Sequence, residues 1–280
     1  MGRIESKEYR EFYELAGKLY PEDNLTYSSL SGIIRKKWVT KKLKTLPGGN
    51  LLDCGCNIGR LAAAWTKGSV FAIDISYSLV LRGKKLYPEI NFIQGDIQEI
   101  GFFKPNSIDN AIAIEVIEHL PRPEDFLKGL YRIMKKNGTL LITTPNYSRF
   151  RPKLVPLGII QSFGVRKGTS GEKYLHTAYK PEELASLVES AGFVTLEKGS
   201  FEFELRGWVK PLVVMRRMFD WLSMKFFKES KLNITFIKFI QSLELNLFYI
   251  LDVFNLVRFL KIFFKEGRRT YLLCKKYETG

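Results

Sequence analysis

Leu51-Leu52-Asp53-Cys54-Gly55-Cys56-Asn57-Ile58-Gly59-Arg60 is the stretch that decides how this chain folds. An apolar strand, Asn50 to Cys54, runs straight into a turn that carries glycine, and a helix over Arg60 to Thr66 is expected to follow. Gly55 and Gly59 let a ligand come close to the backbone. Asn57 accepts a left-handed conformation better than most residues. A helix starting near Gly59 would offer its free N–H groups to a ligand carboxylate.

Working outward, short apolar runs alternate with helical stretches. Ser69 to Ile75 reads as a strand, Tyr77 to Lys85 as a helix, and Asn91 to Gln94 and Ile108 to Ile114 as strands. Pro123 to Met134 reads as a helix and Thr139 to Thr143 as a strand. Strands separated by helices pair in parallel through right-handed crossovers. Asp74 ends the second strand, about 20 residues beyond the turn, where an acid can bond ribose hydroxyls. Asp96 follows the third strand. Both lie at carboxyl ends of parallel strands, where open α/β sheets bind ligands.

Before this core lie two helices, Glu5 to Tyr20 and the strongly basic Ser31 to Leu46, the second stopped by Pro47-Gly48-Gly49. After it, Arg149 to Lys173 reads as a loop or lid, and Pro181 to Ala191 as a helix followed by Gly192. Phe193 to Leu205 reads as a strand bent at Gly199, Trp208 to Lys265 as an aromatic, basic helical region, and Arg269 to Lys276 as a final strand. The chain of 280 residues carries a formal charge of +15, which points to a polyanionic partner: nucleic acid, an anionic membrane surface or a phosphorylated substrate. Its three cysteines, Cys54, Cys56 and Cys274, have neither zinc nor CxxC spacing, and an odd, sparse set suits a reducing, cytoplasmic compartment. Met1 to Lys7 is charged, without the apolar centre of a secretion signal.

With these pieces in order, the chain resembles a class I S-adenosylmethionine-dependent methyltransferase of the ubiquinone-type and small-molecule branch. Asp53-x-Gly55-x-x-x-Gly59 resembles the family's first motif, with Asn57 where a glycine is usual. Ile73-Asp74-Ile75 resembles the ribose motif. Gly95-Asp96-Ile97 resembles the adenine motif, with Asp96 toward the exocyclic amine and Ile97 against the ring. Ile114-Glu115-Val116-Ile117-Glu118-His119-Leu120 resembles the fourth-strand motif, and Leu130 to Thr143 the helix and strand joined by a Lys136-Asn137-Gly138 turn. Tyr179-Lys180-Pro181-Glu182-Glu183-Leu184 through Phe193 resembles the late helix and sixth strand.

The resemblance implies a Rossmann-like, mostly parallel seven-stranded sheet flanked by helices, with a helical insertion before the last strand. It implies S-adenosyl-L-methionine as cofactor, held by Asp53, Gly55, Cys56, Gly59, Asp74, Ile75, Asp96, Ile97 and Glu115. The organisation that follows is N-terminal helices covering the cofactor site over 1–46, the core over 47–206, the insertion over 207–267 and the final strand over 268–280. A nicotinamide dehydrogenase would require Gly-x-Gly-x-x-Gly, which this turn does not supply. A non-catalytic module of the same fold is the alternative of another class, against which the intact Asp74 and Asp96 argue.

In such an enzyme the sulfonium methyl is already activated, so exclusion of water and alignment with the acceptor matter most. A base helps where the acceptor must lose a proton. His119 and His176, the only histidines, are the candidates. Glu115, Glu118 and His119 could also hold a divalent metal, as some ubiquinone-type relatives are thought to do; their oxygen donors would suit magnesium. No metal site is assigned. Nucleic acid is the less favoured acceptor, because no Asn/Asp-Pro-Pro-aromatic motif follows the fourth strand. Thr144-Pro145-Asn146-Tyr147 follows the fifth and resembles the metabolite-enzyme pattern.

The insertion interleaves phenylalanines and tryptophans with Lys and Arg. Glu244, Asp252, Arg258 and Lys261 interrupt Phe239 to Phe264, which excludes a membrane-spanning helix. Phe236, Phe239, Leu243, Leu247, Ile250, Phe254 and Val257 fall in near-helical steps and make an apolar stripe. That stripe is expected either to cap a pocket on the sheet domain or to lie on an anionic membrane. Both suit O-methylation of an apolar or lipid-like acceptor, with a soluble metabolite, a surface sugar or RNA as alternatives. A cytoplasmic protein, peripheral at the membrane, is the expected location.

Overall fold

The computed structural model describes residues 6–19, 30–146, 154–156, 173–175, 177–203, 214–215, 218, 221, 231–256 and 262–277. The apolar runs flanking the glycine turn become neighbouring strands. In chain order the elements are α1 (Ser6–Leu19), α2 (Leu30–Thr45), β1 (Leu51–Cys54), β2 (Val70–Asp74), α3 (Tyr77–Leu86), β3 (Asn91–Gln94), β4 (Ile108–Ile114), α4 (Pro123–Ile133) and β5 (Met134–Pro145). They continue with β6 (Leu154–Pro156), β7 (Lys173–Leu175), α5 (Pro181–Glu189), β8 (Phe193–Phe201), α6 (Lys231–Val253) and β9 (Arg269–Lys276).

Seven strands form one sheet in the order β3-β2-β1-β4-β5-β9-β8, and β6 pairs with β7 separately. β9 alone runs against its neighbours. The order reverses between β1 and β4, and such a switch point leaves a crevice beyond the carboxyl ends of the strands. Asp53↔Ile112 is the last β1–β4 register pair, so the glycine turn opens at that crevice.

Both faces of the sheet are covered, which is why its strands read as near-continuous apolar runs. Leu52, Cys54, Ile73 and Leu140 point to one face and pack with Phe126, Leu127 and Leu130 of α4 and Leu184 and Val188 of α5. Leu51, Ala72, Ile112 and Leu141 point to the other, with Val39 and Leu43 of α2, Trp65, and Val80 of α3. Each fully buried Leu or Ile contributes about 1.5–3 kcal/mol through removal from water.

Several boundaries correct the sequence reading. No α-helix forms over Arg60 to Thr66; the only helical turn there is a 3-10 turn, Ala62–Ala64. Gly55, Asn57 and Gly59 all take positive φ, and the Trp65 indole donates to the Gly49 carbonyl at 3.0 Å, which draws the chain away from a helical path. The N–H groups of Gly55, Cys56, Asn57, Ile58 and Gly59 all donate within the chain, so no helix end offers them to a ligand. Lys136-Asn137-Gly138 is an irregularity inside β5, where the register slips between Ile108↔Met134 and Asn110↔Thr139. In β8 the irregularity falls between Thr195 and Glu197, not at Gly199, which pairs with Tyr271. β8 ends at Phe201, and Leu205 lies outside the described residues. So do most of the expected lid and much of the insertion; of the first, the β6–β7 hairpin is described, and of the second, mainly α6.

Candidate active site

The glycine turn is held by what its glycines lack. A Cβ on Gly55 would stand 2.6 Å from Val116 Cγ2, and one on Gly59 2.6 Å from Phe92 Cζ, in backbone conformations of φ +71° and +80° that disfavour side chains. Gly55 N and Cys56 N both donate to the Ile73 carbonyl, at 2.8 and 3.0 Å. Asp74 completes the turn from β2. Its Oδ2 accepts from Asn57 N at 2.8 Å and its Oδ1 from Ser76 N at 2.9 Å. Asp74 thus joins the turn to the start of α3 and holds a buried carboxylate at the carboxyl end of β2.

Asp53 has a different environment. It is buried, and its Oδ2 has no hydrogen-bond partner. Burial, reinforced by the Asp74 charge, pushes its pKa up to about 7. A buried carboxyl oxygen without a donor calls for a ligand or water, and a ligand ammonium at this point fits it. The neighbouring Cys54 and Cys56 are buried too; burial and the adjacent carboxylates raise both thiols well above the usual range, so neither is a nucleophile.

An open cleft of about 720 Å³ lies between α1 and the ends of β2 and β3, lined by Glu11, Glu14 and Leu15 on one side and Ile75, Tyr77 and Gln94 on the other. Its size is that of a small-molecule site. Glu14 fastens α1 over it, accepting from Ser76 Oγ at 3.0 Å and Ser78 Oγ at 2.6 Å. Asp96 caps the 3-10 segment Ile97–Phe102 by accepting from Gln98 N at 2.9 Å, and Ile97 is buried in the core beside β2 and α4.

Beyond β4 lies a second cluster. Glu115, at φ +58°, turns its carboxylate toward Arg269 Nε (2.9 Å) and accepts from Thr143 Oγ1 (2.9 Å), with Arg35 Nη2 at 3.9 Å. Burial alone would raise Glu115, but the Arg269 and Arg35 guanidiniums hold it below the usual carboxylate range. Glu202, just past β8 and fully buried, receives Ser31 Oγ at 3.1 Å and stands 3.7 Å from Arg35 Nε and 3.5 Å from Arg269 Nε. Two carboxylates and two guanidiniums, drawn from α2, β9 and the ends of β4 and β8, therefore neutralise one another at the rim of the sheet.

Glu118 is buried behind them. Burial and the Glu115 charge push its carboxyl well above the usual range, and it accepts from Thr144 Oγ1 at 3.2 Å. His119 Nε2 stands 3.7 Å from Glu118 Oε1, and its partly exposed ring meets Tyr13 of α1 edge-on at 6.0 Å. These residues do not make a metal set: Glu115 is engaged by guanidiniums, and among the described residues no group of three or more His, Cys, Asp or Glu could hold a metal ion. His176 lies outside the described residues.

Sequence reasoning placed the glycine turn, Asp74 and His119 at one end of the sheet, and the structure puts them there. It missed Arg35, Glu202, Arg269, Tyr13 and Glu14, which come from distant parts of the chain. The available signal was Arg269, a cation opening a strand whose alternate positions are buried.

Comparison with known proteins agrees with this geometry. Residues 52–142 match the family described as a methyltransferase domain. A ubiquinone biosynthesis O-methyltransferase of Xanthomonas campestris pv. campestris is 26% identical over 165 residues, 56% of this chain and 67% of that protein. One from Acinetobacter baumannii is 24% identical over 228 residues, 77% of this chain and 94% of its own length. Among solved structures, a phosphoethanolamine N-methyltransferase 2 of Haemonchus contortus, in complex with S-adenosyl-L-methionine, superposes with a TM-score of 0.59 at 16% identity. The match covers 96% of this chain but only 60% of that one, and is a likeness of fold.

Proposed function

We propose that this chain, whose residues 52–142 match a methyltransferase domain, is a class I S-adenosylmethionine-dependent methyltransferase that methylates an oxygen of a small or lipid-like acceptor. The observation that carries this reading is the imidazole of His119, partly exposed just past the carboxyl end of β4, with the buried carboxyl of Glu118 3.7 Å from its Nε2. A hydroxyl acceptor must lose a proton as its oxygen is methylated, and a positioned imidazole can take it. The relatives named above as O-methyltransferases support the same choice.

The cofactor brings the activated sulfonium methyl. The chain's own residues do the rest. The Gly55–Gly59 turn leaves room for close approach, Asp53 receives a positive group, and Asp74 presents a carboxylate to hydroxyls. α1 closes the adjoining cleft, and the Arg35–Glu115–Arg269–Glu202 quartet stiffens the acceptor end without leaving net charge there.

The test is transfer of 13C-methyl from labelled cofactor into a cell extract separated into lipid, small-molecule, protein and nucleic-acid fractions. The expected result is a carbon shift of an O-methyl group in the lipid or small-molecule fraction. Methyl carried on nitrogen or carbon would overturn the oxygen assignment, and label in nucleic acid would overturn the acceptor class.

Two variants test the cofactor residues. Asp74→Ala is expected to weaken S-adenosylmethionine binding by about 1.5–3 kcal/mol, roughly 10- to 150-fold, as read by calorimetry. Asp53→Asn has opposite effects on stability and binding. Because the folded pKa of Asp53 is raised to about 7, ionising it opposes folding. That penalty is absent below the unfolded value near 4, grows as pH rises, and is complete above pH 7. The ligand-free variant is therefore expected to be more stable than the parent by up to about 4 kcal/mol at pH 8, and little more stable at pH 4, while binding the cofactor more weakly. Thermal melts at the two pH values check it.

A further inference from the structure

Among its described side chains, α6 joins the domain through one face. Phe248 packs with Leu30 and Ile34 of α2, and Ile240 and Leu251 are also buried. Lys37 of α2 forms an ion pair with Asp252 at the seam. A neighbouring face carries Phe239, Leu243, Ile250, Val253 and Phe254 at helical spacing, all exposed, Val253 to 76%. A second exposed stripe, Val214, Met218 and Trp221, repeats the spacing within the same insertion. Twelve of the nineteen exposed large hydrophobic residues, among those described, fall within residues 207–267. An apolar concentration of this kind marks an interaction surface.

The charge of the same stretch of sequence, with that of α2, identifies the partner. Residues 207–268 hold eleven Lys and Arg against five Asp and Glu. Of the acids on α6, Glu244 is buried and Asp252 is paired with Lys37. α2 has no acidic residue and exposes Lys36, Lys37, Lys41 and Lys44. A second copy of this chain would meet the stripe with the same basic rim and be repelled. An anionic bilayer would receive the aromatic and aliphatic side chains among its acyl chains and the lysines at its headgroups, with Trp221 and Tyr249 at the boundary. No described helix is long and apolar enough to cross a membrane, so α6 would lie along the surface.

We propose that the exposed face of α6 docks the protein on an anionic lipid bilayer. Docking stands on the stripe alone; that the acceptor is drawn from the same bilayer rests on the reading above. The inner side of α2, on which α6 packs, delivers Ser31 and Arg35 to the Glu202 cluster, so the docked helices adjoin the acceptor end of the sheet.

The experiment is vesicle co-sedimentation of the full chain with phosphatidylcholine vesicles, with and without phosphatidylglycerol, at low and high salt. The parent is expected to bind phosphatidylglycerol vesicles at low salt and to release them as salt rises. Ile250→Asp combined with Phe254→Asp, both exposed positions, is expected to weaken binding at least about tenfold while keeping S-adenosylmethionine affinity. Lys36→Gln with Lys41→Gln is expected to reduce the preference for phosphatidylglycerol by roughly tenfold. A parent that ignores anionic vesicles, or an aspartate variant that binds them equally well, overturns docking. So does a dimer that the aspartate pair dissolves, or salt-sensitive retention of RNA in place of vesicles. Failure of the parent to bind S-adenosylmethionine would instead overturn the functional reading and leave the vesicle result standing.

Discussion

His119→Ala is expected to lower kcat by a factor of about 10²–10⁴, the range for losing a positioned general base. Affinity for S-adenosylmethionine should stay within about twofold, because Asp53, the Gly55–Gly59 turn and Asp74, proposed above to hold the cofactor, lie at the ends of β1 and β2, whereas His119 follows β4. Two readouts separate loss of a base from loss of structure. The pH–rate profile of the parent should fall on the acid side as the imidazole is protonated, and the variant should lack that limb. Melting should be little changed, since His119 is partly exposed and its ring meets Tyr13 only edge-on. A variant with kcat within threefold of the parent would mean that the acceptor oxygen loses its proton without help from His119.

The second large effect concerns stability. Arg269→Ala is expected to cost about 3–5 kcal/mol, the usual range when one member of a buried ion cluster is removed. It leaves Glu115 and Glu202 buried with Arg35 as their remaining guanidinium. In the parent, Glu115 is held below 4.5, so it contributes stability above that pH and loses it as pH falls through the lower folded value. Without Arg269, burial and the nearby Glu202 charge raise it above 4.5, and the variant gains stability as protons return. The deficit should therefore narrow between pH 7 and pH 5, as read by denaturant melts. Adding Glu202→Gln should recover part of the loss, because it removes the second uncompensated carboxylate; strict additivity in the double-mutant cycle would show that the two do not interact.

α6 shows how far a periodic pattern carries. Its apolar residues announce a helix, but Leu247 and Ile250, both counted in one stripe, separate in the structure: Leu247 packs against α2 and Ile250 faces out. A broad apolar band does not say which of its edges meets protein, because that depends on where the neighbouring helix arrives.

The sequence by itself determined the sheet and placed the glycine turn, Asp74 and His119 at the carboxyl ends of its strands. Strand runs are local, their alternation with helices dictates parallel pairing, and glycine at 55 and 59 is required by a turn whose conformation excludes side chains. Only the tertiary structure decided the arrangement of charge beyond β4. Arg35, Glu202 and Arg269 each read as an ordinary surface charge in its own segment. They become a buried, mutually neutralising set only when α2, β8 and β9 converge on β4, because Coulomb interactions depend on distance in space and on exclusion of water, neither of which is written in neighbouring residues. The same convergence engages Glu115 with arginine, although its spacing from Glu118 and His119 had suggested a metal ligand. Asp53 Oδ2 is likewise buried without a donor, which an aspartate in an apolar strand does not by itself reveal.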